Sequence, residues 1–417
     1  MEDEVGDWDE ASLRRLEEAL RDVEYDKALQ RACAFATRHQ RRQKREREQE
    51  ERAVEALRRM KRPRGALPPQ PPKGFGPIAL CNAYLQLSLE VRYEDPWAMK
   101  VYARGAVQEA MEANPQRFPP GVIHDLRARA YAVLANAQRV NNKYSSADDL
   151  LEHAKKWFKV GTGDPLIQGM IDELEGSLRI EQRRFVEAAH LLDRAHDLYL
   201  EIGEPHLAGR TLMNRARLAF TAEAAKEQTL RFLERSLNLL DRDRDQELVA
   251  TAFYNRILYL TEYACYQEAG ELLLESGLRQ TFAGQPLKLI RLRSLEGRIQ
   301  AGIGRLDRAE AIFQEVWQSF QGFRLEFDAA LAGLDLAEMW LRQGKDRQLA
   351  SLAAEIGKTF QGAGLPREAA LAFDYLRVAA EMQMVNLTFV SRTRQFLIDL
   401  RGNPGLAFDI EAILDDE

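Results

Sequence analysis

The chain has 417 residues, of which 45% are hydrophobic and 30% charged, with 59 Lys plus Arg against 65 Asp plus Glu for a net charge of −6. That apolar share builds a packed core and excludes wholesale disorder, while the mild acidity excludes a surface that binds nucleic acid throughout. Three scattered cysteines (Cys33, Cys81 and Cys265) exclude a disulfide scaffold and a zinc ribbon, and no 18-residue apolar run offers a membrane span.

The first 74 residues are unlike the rest. Met1 to Glu24 carries ten acidic and three basic residues, and Arg38 to Arg64 carries twelve basic and five acidic ones. The stretch from Arg41 to Arg52 has no helix breaker and few apolar residues, so it reads as a solvated helix. Pro63 to Pro77 holds six prolines and reads as a semi-rigid spacer, so residues 1–74 form a charged helical extension with a linker. Next, Leu80 to Leu85 starts the first helix of a divergent pair, and Asp95 with Pro96 caps and opens the second. Asn114 to Gly121 reads as an inserted loop.

From there the chain reads as helix after helix, rich in Ala, Leu, Arg and Glu with apolar residues three and four apart. Breakers recur at Pro165, Pro205, Pro286 and Pro366, separated by 40, 81 and 80 residues. A column of mostly small residues has the same period: Ala147, Ala188, Thr229, Ala269, Ala309 and Leu349 stand 40 or 41 apart. Four residues on lie Leu151, Leu192, Leu233, Leu273, Phe313 and Ala353. Twelve before lie Ala135, Gly176, Arg217, Ile257, Gly297 and Ala337. Six helix pairs of about 40 residues account for these columns. Residues 75–385 are then one repeat array, and residues 386–417 a capping helix with an acidic tail.

Gly297, Gly304, Leu306, Ala309 and Phe313 place a small residue at a helix crossing, an apolar residue early in the second helix, then Ala and a large apolar residue. Gly176, Phe185, Ala188 and Leu192 do the same with an aromatic. This arrangement resembles the tetratricopeptide repeat. The common repeat is about 34 residues long; the longer period here is similar to repeats of kinesin light chains and bacterial signalling regulators. The resemblance implies an all-α, right-handed α-α superhelix whose first helices line a concave groove.

Chemistry finds little footing. The six histidines form no HExxH motif, and Asp241 to Asp245 begins like a calcium loop but has Gln246 and Ala252 where that loop needs Gly and Glu. Gly302 and Gly304 lack a preceding strand, and Cys265 has no His or basic residue beside it in sequence. No general acid and base pair is nominated, so the expectation is a protein that is not an enzyme, with no catalytic residue, metal or cofactor.

The groove is the better candidate. Its columns contain Asn136, Arg139, Asn214, Tyr254 and Arg298, side chains suited to holding a peptide's backbone, carboxylates and apolar groups. The expected function is a cytoplasmic, bacterial-type scaffold or regulatory subunit that captures a partner protein or peptide and controls an effector. A transcription or sigma factor, a protease or a defence enzyme would suit. The alternative is a nucleic-acid-associated regulator in which Arg41, Arg42, Lys44, Arg45 and Arg52 contact phosphates and the repeats act as sensor.

Overall fold

A computed structural model describes residues 10, 23–60, 74–92, 95–114, 116, 118–362, 367–402 and 406–409. Among them there is no strand, and the helices in chain order are α1 (Val23–Arg58), α2 (Pro77–Glu90), α3 (Pro96–Glu112), α4 (Pro120–Val140), α5 (Tyr144–Lys159), α6 (Pro165–Glu181), α7 (Phe185–Glu201), α8 (Pro205–Thr221), α9 (Lys226–Leu239), α10 (Gln246–Glu262), α11 (Tyr266–Glu275), the one-turn α12 (Leu278–Thr281), α13 (Pro286–Gly302), α14 (Leu306–Gly322), α15 (Glu326–Arg342), α16 (Asp346–Gly362), α17 (Arg367–Glu381) and α18 (Leu387–Gly402). They fall into two compact units, one of residues 1–141 with 145–163, the other of 142–144 with 164–417.

In the first unit α2, α3 and α4 pack in succession, and α1 lies on α2 through the buried Ala53, Val54 and Leu57. The Asp95 carboxylate caps α3 by accepting from Ala98 N–H at 2.8 Å, as the Asp-Pro pair predicts. Pro120 already opens α4, so the inserted loop ends two residues before Gly121 does. Proline at the first helical turn loses no hydrogen bond, which is why it starts a helix here rather than ending a loop. Asp125 ties down the far end of α5 by accepting from Thr162 N–H at 3.1 Å and Thr162 Oγ1 at 2.5 Å.

The second unit is a run of helix pairs from α6 to α18. Pro165, Pro205 and Pro286 each occupy a first turn, while Pro366 lies outside the described residues. The column of Ala188, Thr229, Ala269, Ala309 and Leu349 is at most 1% exposed, because here the second helix of a pair meets the first. Small residues on both sides let the backbones approach. A Cβ on Gly297 would stand 2.7 Å from Cε1 of Phe313, too close to coexist without displacement. The polar run Asp241 to Asp245 is the turn before α10: Asp241 accepts from Asp243 and Arg244 N–H, and Asp245 caps Leu248.

The turn inside each pair is set by the backbone. Asn142, Arg183, Glu223, Ala264, Gly304, Gly344 and Gln383 all have φ between 56° and 82°. In each case the left-handed residue lies two positions beyond the first helix. From Arg183 onward the next N–H closes a six-residue ring, as in Cys265 N–H to Leu260 C=O at 2.8 Å and Arg305 N–H to Gln300 C=O at 2.9 Å. Only two of these seven positions are glycine, so the glycine pattern alone understates the repeat.

Two departures matter for function. The second helix of the fourth pair, α11, stops after ten residues, the chain turns at Gly277 (φ 65°), and Leu278 and Phe282 fill the core in place of the half-buried Leu273. At the other end, α18 lies against α15. Arg394 of α18 pairs with Asp335 at 2.5 Å and reaches Glu338 at 3.9 Å.

Candidate protein-binding face

In the second unit the first helices α6, α8, α10, α13 and α15 lie side by side in sequence order. Residues spaced three and four apart on each helix therefore align into columns across the unit. The sequence columns through Asn214, Tyr254, Ser294 and Arg298 fall on this face, and all four residues are half-buried. Leu334, 40 residues after Ser294 and so in the same column, is fully buried, and Asp335 beside it is covered by Arg394 of α18. The open part of the face runs from α6 to α13.

Its charges are paired between neighbouring first helices. Arg298 donates to Glu262 at 2.7 Å and Arg217 to Glu181 at 2.6 Å, each cation standing 36 residues after its acid. Glu173 accepts from Arg210 Nε at 3.0 Å, Arg210 Nη2 at 2.6 Å, Asn214 Nδ2 at 3.1 Å and Tyr199 Oη at 3.4 Å. Asn214 is thus held as a structural donor. Burial disfavours the charge of Arg298, yet the hydrogen bond to Glu262 and the negative charges of Glu262 and Asp335 together outweigh it and raise the pKa above the usual guanidinium value. Burial pushes the Tyr254 hydroxyl up, and Arg291 and Arg298 pull against that shift. Arg291, half-buried one turn before Ser294, makes no hydrogen bond or ion pair among the described residues.

The other predicted residues lie in the first unit. Asn136 is 7% exposed and accepts from Arg139 Nε at 3.0 Å and Nη2 at 2.9 Å. Lys44, Arg45 and Arg52 are exposed along α1, interleaved with exposed Glu46, Glu48 and Glu51. Arg41 and Arg42 lie in the same helix, with side chains outside the described set.

Sequence reasoning missed two features. Lys226 Nζ lies 3.5 Å from the Cys265 thiol, a basic neighbour 39 residues away in the chain. A cleft of about 580 Å³ opens among α12, α13 and α14 where the fourth pair is interrupted, with Arg279, Arg293 and Glu296 in its wall. Only the Ser276-Gly277 breaker hinted at it. Among the described residues no group of three or more His, Cys, Asp or Glu could hold a metal, and no helix is long and apolar enough to cross a membrane.

Solved structures share this architecture. A Rap protein complexed with Competence and Sporulation Factor superimposes with a TM-score of 0.54 at 11% identity, over 78% of this chain and 87% of that one. A signal-transduction ATPase of the STAND class with a tetratricopeptide-repeat sensor, from Pyrococcus horikoshii, gives 0.53 at 13% identity; the match covers 81% of this chain and 51% of that one. Aspartyl phosphate phosphatase F from Bacillus subtilis gives 0.50 at 12% identity, over 68% and 71%. No family model matches the chain, and no curated protein matches its sequence. The helix pairs, their left-handed turns and these likenesses define an all-α, tetratricopeptide-like repeat fold.

Proposed function

We propose that the protein is a non-enzymatic interaction scaffold or regulatory subunit that captures a segment of a partner protein on the first-helix face of its second unit. The observation that carries this reading is the open run from α6 to α13, where half-buried Tyr254, Arg291, Ser294 and Arg298 are presented on rigid neighbouring helices. A preformed surface loses little entropy on binding. That one structural relative was crystallised with a bound factor supports a binding role for this architecture. The captured partner is an effector such as a transcription or sigma factor, a protease or a defence enzyme, and the site of action is the cytoplasm.

The alternating charges of α1 favour a solvated helix over a phosphate-binding one, because neighbouring carboxylates cancel the cationic field. Affinity capture by the full chain tests the choice. Tyr254→Ala combined with Leu258→Glu should weaken partner binding tenfold or more with helicity unchanged. Reversing Lys44, Arg45 and Arg52 to Glu should leave it intact. Loss of binding only in the α1 variant would support nucleic-acid or α1-mediated contact instead. Point reversals are the proper probe, since a deletion through residue 64 would also remove the buried Ala53, Val54 and Leu57.

A further inference from the structure

The arginines on the open first-helix face of the second unit divide sharply. Arg210, Arg217 and Arg298 are each held by a carboxylate of the preceding first helix, at 2.6, 2.6 and 2.7 Å. Arg291 is not: among the described residues its guanidinium makes no hydrogen bond or ion pair, although it is half-buried. Tyr254 lies on the adjoining helix α10, and its hydroxyl feels the Arg291 charge. Leu287 stands one turn before Arg291 on α13, and Leu258 one turn after Tyr254 on α10, both half-buried. A guanidinium carries five donors in a fixed fork that fits a carboxylate, and at Arg291 that fork stays open to water and to an acceptor from outside the protein. Everywhere else on the face the protein supplies the acceptor itself.

We propose that Arg291, with Tyr254 beside it, anchors an acidic side chain of the captured segment, and that apolar side chains flanking that acid rest on Leu258 and Leu287. The inference rests on the groove reading above and narrows it to a partner of stated chemistry, an acidic residue set among apolar ones. A nucleic-acid strand fits less well. It requires several unneutralised cations in a row, and here three of the four are already neutralised.

Selection of random twelve-residue peptides displayed on phage against the full-length chain tests the proposal. The expected winners carry Asp or Glu within three residues of Leu, Ile or Phe. In a synthetic winner, changing the acid to its amide should weaken binding about tenfold, as should Arg291→Gln in the protein. The two changes together should cost little more than either alone, since both remove one interaction. Arg291→Gln should leave the melting temperature unchanged, because no bond within the protein is lost. Winners without acids, or winners indifferent to Arg291→Gln, overturn the anchor. If those winners still lose binding on Leu258→Glu, the groove reading survives and only the acid anchor falls. If they are indifferent to Leu258→Glu as well, or if nothing is selected, both fall. Competition by a single-stranded oligonucleotide that depends on Arg291 also overturns the anchor and points to nucleic acid.

Discussion

In the second unit Glu173 of α6 is 4% exposed and its carboxylate receives hydrogen bonds from Arg210 and Asn214 of α8, whereas in the first unit Glu109 of α3 is 5% exposed and its carboxylate receives none among the described residues. Glu173 sits on the first helix of a regular pair, and Glu109 on the second helix of the divergent α2–α3 pair. The difference shows that burial of charge here follows the local column of neighbours rather than the repeat itself. In the second unit an arginine arrives on the next first helix and ties two repeats together. Among the described residues of the first unit no cation pairs with Glu109, and burial, aided by Glu112, pushes its pKa up to about 7.

The largest expected effect breaks the paired case. Arg210→Ala leaves Glu173 buried with only Asn214 and Tyr199 as donors, and should destabilise the second unit by about 3 kcal/mol. Chemical denaturation would show this as the early loss of one phase, and an unchanged profile would mean the pair carries no folding energy. A double change, Arg210→Leu with Glu173→Leu, should recover most of the loss.

The next effect sharpens the unpaired case. Glu109 is more easily protonated in the fold than at its ordinary value of 4.5. The fold therefore binds the extra proton between pH 4.5 and about 7. The contribution of Glu109 to the stability of the first unit is highest below that window and falls as pH rises through it. The sum is on the order of 3 kcal/mol. Glu109→Gln, which needs no proton to stay neutral, should flatten this dependence and stabilise the unit at pH 8. A steep pH dependence surviving in the variant would place the titration elsewhere.

The smallest effect concerns backbone rather than charge. Ala264 and Gly304 occupy the same left-handed turn position in successive pairs, with φ of 57° and 82°. Ala264→Gly should stabilise by up to about 1 kcal/mol, and Gly304→Ala should cost a similar amount. Equal melting temperatures for both variants would show that the turn carries no strain.

Much of this was readable from the chain. The 40-residue columns located the buried crossings, since a position that meets another helix is small in most repeats: Ala188, Ala269 and Ala309 are all fully buried. Asp95, Asp164 and the helix-opening prolines were equally legible, because caps act within four residues. The candidate site was only partly legible. Periodicity puts Asn214, Tyr254 and Arg298 on one face, but their partners lie about 40 residues away on the next helix. Nothing in the local sequence reveals that Asn214 is held by Glu173, that Arg298 is held by Glu262, or that Arg291 is left over. The covering of Asp335 by Arg394 was hidden for the same reason, being decided by how the chain's last described helix packs on α15.

Amide hydrogen exchange on the full-length chain, alone and saturated with a selected acidic-apolar peptide, tests the central claim most directly. Capture on the first-helix face predicts added protection in α8, α10 and α13, greatest around Tyr254 and Arg291, with α1 unchanged. Protection confined to α1, with those three helices exchanging as in the free protein, would contradict it.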